Sequence, residues 1–322
     1  MNSSETALDA ALVEYTDRIS NKVESRLSDE PPVTLYEAAR HPVRAGEKQL
    51  SSTICLLVAE ALGVDTDGQA AIMPAAVAIE LVRTFSSVHT DLIDGDTMHR
   101  GEPAVDTKWD SPTAILAGDV LFAKASEILL DTDAPADTLL TCQSELLSGC
   151  RKFCEGLALE HSFQRERGHS PTETEYIEMA RLKTGALFEA SARIGAILAM
   201  NNEEYTNRVG AYGRNLGIAQ LLYNDILAIT DEGETPGKKP CSNTHSRKET
   251  LISVHARRKG LDISAINSKK LVPELQSSGS IAYTQERAEE YSQTAQKFLE
   301  PLPETTARQH LCELVVSSAT HD

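Results

Sequence analysis

The chain has 322 residues, 41% hydrophobic and only 5% aromatic, and a formal charge of −17. That is enough apolar material for a substantial core, and an acidic excess with no basic stripe excludes a nucleic-acid surface. No basic segment leads into an apolar run at MNSSETALDAALVEY, and no window reaches about 18 uninterrupted apolar residues, so neither signal peptide nor membrane span is expected.

Nearly every segment reads at a period of 3.6. Over residues 6–27, Leu8, Leu12, Tyr15, Ile19 and Val23 form one stripe, which Asp29-Glu30-Pro31-Pro32 stops. A short helix over 35–39 runs into an expected turn from His41 to Gly46. The next helix covers 47–62 and ends at Gly63, a usual place for glycine. Residues 69–94 are apolar on most sides, as a central bundle helix is. After a loop over 98–110, helices are expected at 112–130, 134–167 (with Gly149 and Gly156 as weak points), 172–200 and 202–232. A loop with Gly237-Lys238-Lys239-Pro240 follows, then helices near 248–258, 281–299 and 305–318. No strand alternation, repeat or low-complexity linker is visible, so residues 1–322 read as one all-α domain, a helical bundle with a leading helix in its first thirty or so residues. Cys55, Cys142, Cys150, Cys154, Cys241 and Cys312 match no zinc or CxxC spacing and are expected as free thiols in a reducing cytoplasm.

Two stretches carry chemistry. FSSVHTDLIDGDTMHRG (residues 85–101) ends an apolar helix in Asp91, Asp94 and Asp96 and then a loop with Arg100. AQLLYNDILAITDE (residues 219–232) repeats the design with Asn224 and Asp225. Acid on an apolar helix is costly unless paired or metal-bound, and two such helix ends facing one another suggest a divalent metal between them. Magnesium suits oxygen ligands and bridges carboxylate to phosphate. With Lys48, Arg100, Lys183, Lys238 and Lys248 nearby, the pair forms a diphosphate clamp above an apolar tunnel. That arrangement suits ionisation of an allylic diphosphate followed by carbon–carbon bond formation. Simpler readings stand beside this one. Either acidic patch alone is a solvated helix end, Arg83 is an ion-pair partner of Glu80 at i,i+3, and Gly118 is a packing glycine.

The order of these motifs resembles the trans-isoprenyl (polyprenyl) diphosphate synthases, in particular the archaeal-type short-chain geranylgeranyl synthases, from near residue 30 to at least residue 260. VHTDLIDGDTMHRGEPAV is similar to the first aspartate-rich motif and its loop, AILAGDVLF to the next helix, and RLKTGALFEASARIGA to the Lys-Thr segment. YGRNLGIAQLLYNDILAITD is similar to the second aspartate-rich region, and GKKPCSNTHSRKETL to the lysine-bearing loop after it. The resemblance implies a single all-α bundle around a central cavity, the isoprenoid synthase type I fold, usually a homodimer. It also implies condensation of isopentenyl diphosphate with an allylic diphosphate, using Mg2+. It assigns Lys183 and Thr184 to catalysis and Asp91, Asp94, Asn224 and Asp225 to metal. Gly46, Lys48, Gln49, Arg83, Arg100, Lys238 and Lys248 fall to diphosphate binding, and Phe85 to chain length as the tunnel floor.

The chain departs from that pattern at both clusters. Thr90 stands where the first motif begins with Asp, and Asn224 and Ala228 replace the first and last Asp of the second. Gln49 and Ser51 replace arginines, Arg83 replaces a histidine, His99 an arginine, Leu221 a glutamine, and Leu157-Ala158-Leu159-Glu160 a Gln-x-x-Asp. The Mg2+ sites are thereby weakened. Three functions remain open: a catalytically impaired or regulatory subunit paired with an active prenyl synthase, a slow prenyltransferase making a geranylgeranyl-length product, and a class I terpene cyclase. The last rests on Asn224, Ala228 and Glu232 at i, i+4 and i+8.

Overall fold

The computed structural model describes residues 3–27, 31–44, 49–165, 170–230, 248–263 and 266–317. The helices among them are α1 (Ser3–Arg26), α2 (Val33–Arg44), α3 (Leu50–Ala61), α4 (Thr66–Asp94), α5 (Val105–Lys108), α6 (Ser111–Leu129), α7 (Ala136–Arg165) and α8 (Glu173–Ala180). A π turn (Arg181–Gly185) joins α8 to α9 (Ala186–Met200), and α10 (Glu203–Thr230), α11 (Leu251–Arg258), α12 (Ser268–Ser277), α13 (Ser280–Leu299) and α14 (Thr306–Ser317) follow. The fold is the expected all-α bundle; strands β1 (Met98–His99) and β2 (Glu102–Pro103) form only a two-residue hairpin.

Helix α4 is the axis. The Asp65 carboxylate accepts from Gly68 N at 2.9 Å and starts it, and Gly95 at φ 69° stops it in the left-handed region that glycine enters freely. Leu81, Val82 and Val88 are sealed inside, with α3 on one side and α6 on another. By length and composition α4 could cross a membrane, yet 78% of its most apolar window is buried in the bundle, which marks it as a core helix. Helix α9 packs on α3, α7 and α10, and α10 lies along α13. Cys55, Cys142 and Cys150 are buried free thiols and Cys154 is an exposed one.

Four local expectations change. The turn expected at 41–46 is helix as far as Arg44, because Tyr36, Ala39 and Val43 keep a buried helical face through Pro42. Helix α12 was not expected; it contains Pro273, and Leu271 and Leu275, one turn apart, bury it beside Ile252 and Ala256. The loop at 98–110 contains the hairpin and α5. Its turn is Arg100-Gly101, both at positive φ (51° and 85°), the geometry of a two-residue hairpin turn. Finally, Gly149 and Gly156 do not weaken α7. A Cβ on Gly156 would fall 2.3 Å from the Lys183 backbone N, and one on Gly217 would fall 2.8 Å from Gly185 Cα. The two glycines admit the π turn between α7 and α10. Gly118 is indeed a packing glycine, since its Cβ would strike the His89 ring at 2.1 Å.

Candidate functional site

The ends of α4 and α10 open on one cavity of about 610 Å3, within the usual range for a small-molecule site. Its polar lining includes Arg83, Thr90, Asp91 and Arg100 from one side and Lys183, Thr184, Gln220 and Asn224 from the other. Phe153, Leu187 and Phe188 supply an apolar wall. The π turn aims Lys183 and Thr184 inward, and such turns occur often at functional sites. Arg100 is held in the left-handed region by the hairpin, a conformation that costs a non-glycine residue energy and places its side chain at the cavity. Phe85 is 7% exposed and stands one ring behind the wall, edge-on to Phe153 at 6.2 Å between centroids.

The other acids lie deeper. Asp94, with its side chain 3% exposed, holds Lys248 Nζ at 2.6 Å. Glu160 on α7 holds Lys183 Nζ at 2.5 Å. Asp225 accepts a hydrogen bond from the Tyr176 hydroxyl. Burial pushes the Asp225 carboxyl up to about 7; the Tyr176 bond opposes this, Glu160 adds to it, and Lys183 and Lys248 pull it back. Burial lowers the Lys248 pKa, but Asp94, Glu160 and Asp96 outweigh it and leave the ammonium raised.

At the mouth, Asp91 Oδ2 lies 2.9 Å from His99 Nδ1, and Asn224 Oδ1 accepts from Gln220 Nε2 at 3.1 Å. Further back along α4 the i,i+3 pairing of Arg83 with Glu80 is present at 2.9 Å. Burial pushes Glu80 up to about 8, while Ser52 and Arg100 draw it back. Burial also lowers Arg83 to about 9, helped by repulsion from Arg100.

The structure thus gathers Arg83, Asp91, Arg100, Lys183, Thr184 and Asn224 around the cavity and sets Asp94, Asp225 and Lys248 in a buried group beside it. Gln49 is a correction: its amide is 2% exposed and donates to Ser20 Oγ on α1 at 2.7 Å, because the start of α3 turns it away from the cavity. Its neighbour Ser51 lines the cavity instead. Gly46, Lys48 and Lys238 lie outside the described residues. Glu160, Tyr176, His99 and Gln220 were not singled out as site residues from sequence. Of these, only Glu160 and His99 carried a signal, as departures from the family pattern.

The donors present do not fit a magnesium cluster. Asp91 lies on an imidazole, Asp94 on an ammonium and Asp225 on a phenol, Thr90 and Asn224 are neutral, and no three His, Cys, Asp or Glu side chains converge as a metal-holding group among the described residues. A larger surface hollow of about 1000 Å3 beside the start of α8 contains none of the sequence-derived residues. Its Arg258 and Arg287 pair with Glu173, and its Arg257 with Glu249.

A model of the polyprenyl synthetase family matches residues 32–278. The geranylfarnesyl diphosphate synthase of Natronomonas pharaonis is 35% identical, over 94% of this chain and 95% of its own. The geranylgeranyl pyrophosphate synthase of Geoglobus acetivorans is 38% identical over 92% and 93%. The crystal structure of the geranylgeranyl pyrophosphate synthetase of Pyrococcus horikoshii superposes with a TM-score of 0.90 at 34% identity, covering 99% of each chain.

Proposed function

The chain belongs to the polyprenyl synthetase family, and from that premise we propose that it is a catalytically impaired member that pairs with an active prenyl synthase and adjusts its activity or product length. One observation carries the reading: Asp91, Asp94 and Asp225 are each engaged by the chain's own side chains, and Thr90 and Asn224 line the cavity without charge. Loss of one electrostatic partner from such a site commonly costs a factor of about 10²–10³ in rate.

A second reading is an active transferase that condenses isopentenyl diphosphate with an allylic diphosphate to geranylgeranyl length. The cavity favours it, because Arg83, Arg100 and Lys183 bring positive charge to its lining and Phe153 and Phe188 bring apolar surface. In that case the allylic diphosphate sits at the cations and its chain runs along the aromatic wall, with Phe85 as backing. A Phe85→Ala change in an active complex then lengthens the product.

The deciding experiment is turnover of isopentenyl diphosphate with each allylic primer at millimolar Mg2+, by the chain alone and mixed with an active geranylgeranyl diphosphate synthase. The chain alone should run at least about 10²-fold slower than the synthase, and the mixture should co-elute with altered product length or yield. Family-level rates from the chain alone would overturn the subunit reading.

A further inference from the structure

We propose that Lys248 is a built-in counter-cation that occupies the carboxylate oxygen a divalent metal would need at the end of α4, so that the chain reaches its charge-balanced folded state without magnesium. The inference deepens the reading given above, on which it rests for the identity of the metal.

The relevant groups come from distant parts of the chain and meet in one buried chamber. Asp94 is the last residue of α4, Glu160 lies near the end of α7, Lys183 is in the π turn, Tyr176 on α8, Asp225 on α10, and Lys248 just ahead of α11. Asp94, Glu160 and Asp225 therefore face two ammonium groups and a phenol, with Asp96 also near Lys248. Lys248 Nζ is 2.6 Å from Asp94 Oδ2, with side-chain exposures of 19% and 3%. Lys183 and Glu160 form the second pair, exposed by 13% and 7%. Tyr176 takes up the third carboxyl through its hydroxyl.

An ammonium is a compact point charge with three donors and needs no set coordination geometry. Magnesium demands near-octahedral oxygen ligands and gives up its hydration shell reluctantly. A metal at Asp94 must therefore displace Lys248 and leave that ammonium half enclosed beside a divalent charge. Bound magnesium gains no stabilisation until the lysine leaves, and a ligand stabilises a fold only when it binds the folded form with net affinity. Lys183 holds Glu160 in the same way, so a metal that recruits Glu160 must break a second ion pair.

The test is thermal unfolding of the full chain, free of diphosphate, with millimolar MgCl2 against NaCl of matched ionic strength. The unaltered chain should show no magnesium-dependent change in midpoint. Lys248→Met, with Lys248→Gln as the milder variant, should unfold at lower temperature without metal and recover several degrees when magnesium is added. Adding Asp94→Asn to Lys248→Met should abolish that recovery. A magnesium-dependent rise in the unaltered chain as large as that of the variants would overturn the proposal, and so would folded Lys248 variants that gain nothing from the metal. Should neither variant fold, calorimetric titration of the unaltered chain with MgCl2 decides: heat of binding refutes the proposal and its absence supports it. Turnover is a separate readout. Family-level turnover with no magnesium shift in the free chain would remove the impaired-subunit reading and leave this inference standing.

Discussion

At the end of α4, Asp91 and Asp94 each lie within 2.9 Å of a nitrogen brought from elsewhere, His99 Nδ1 and Lys248 Nζ. At the end of α10, Asn224 and Asp225 meet neutral donors, the Gln220 amide and the Tyr176 hydroxyl. The two helix ends look alike in sequence, apolar runs finishing in acid. Their physics differs because Asp94 is matched by an ammonium from a distant segment and Asp225 by a hydroxyl. Removing half of a buried ion pair strands a charge, whereas removing half of a neutral pair strands at most one polar group. The two ends should therefore fail by different amounts when cut.

The largest effect is expected at an acid outside both ends. Glu80 is 1% exposed, and its carboxyl is pushed up to about 8 by burial. A free glutamate in the unfolded chain titrates at about 4.3. As pH rises between those values the unfolded state loses this proton while the folded state keeps it, so Glu80 lowers stability progressively across the window and no further above it. By linkage the total is up to about 5 kcal/mol. Glu80→Gln should flatten the fall in unfolding midpoint from about pH 5 to about pH 8. Asp225, raised to about 7, contributes in the same direction and survives that substitution. An unchanged slope in Glu80→Gln would mean that Arg83 keeps Glu80 ionised throughout.

Next in size is Asp94→Asn, which leaves Lys248 without its carboxylate and should cost about 3 kcal/mol in denaturant unfolding. Gly156→Ala should cost about 2 kcal/mol, since its Cβ meets the Lys183 backbone rather than a movable side chain. That variant disturbs the Lys183–Glu160 pair and leaves Lys248 on Asp94, so it separates the two pairs of the chamber. Asp225→Asn should be the mildest, about 1 kcal/mol, because an amide oxygen still accepts from Tyr176. Equal losses in Asp94→Asn and Asp225→Asn would erase the distinction between the two helix ends.

What sequence alone showed follows the reach of the interactions. The central helix was legible because its apolar run is local, and so was Arg83 with Glu80, three residues apart. Both acidic ends and their shared cavity could be read from pattern. The partners of the acids could not. Lys248 on Asp94, Lys183 on Glu160 and Tyr176 on Asp225 join residues 154, 23 and 49 positions apart, and no period connects them. Gln49 was misplaced because its position in a motif says nothing of how the first turn of α3 is rotated. Pro42, and the helix around Pro273, were missed for the opposite reason. Each proline reads as a breaker locally, and each is carried by an apolar face buried against the rest of the bundle.

The π turn at Arg181–Gly185 has a consequence for numbering along the rod formed by α8 and α9. Each residue of an α-helix advances the chain by about 100° around its axis. A π turn takes in one extra residue, so α9 emerges out of phase with the continuation of α8 by about that angle. The rod is two rulers with different zero marks, one seating Tyr176, Met179 and Ala180, the other Ala190, Ile194 and Ile197. Substitution within 181–185 alters a side chain and leaves both scales intact. Gain of a further residue there slides one scale against the other and puts the buried contacts of α9 on the wrong mark. Loss of one can instead be taken up by closing the π turn to an α turn.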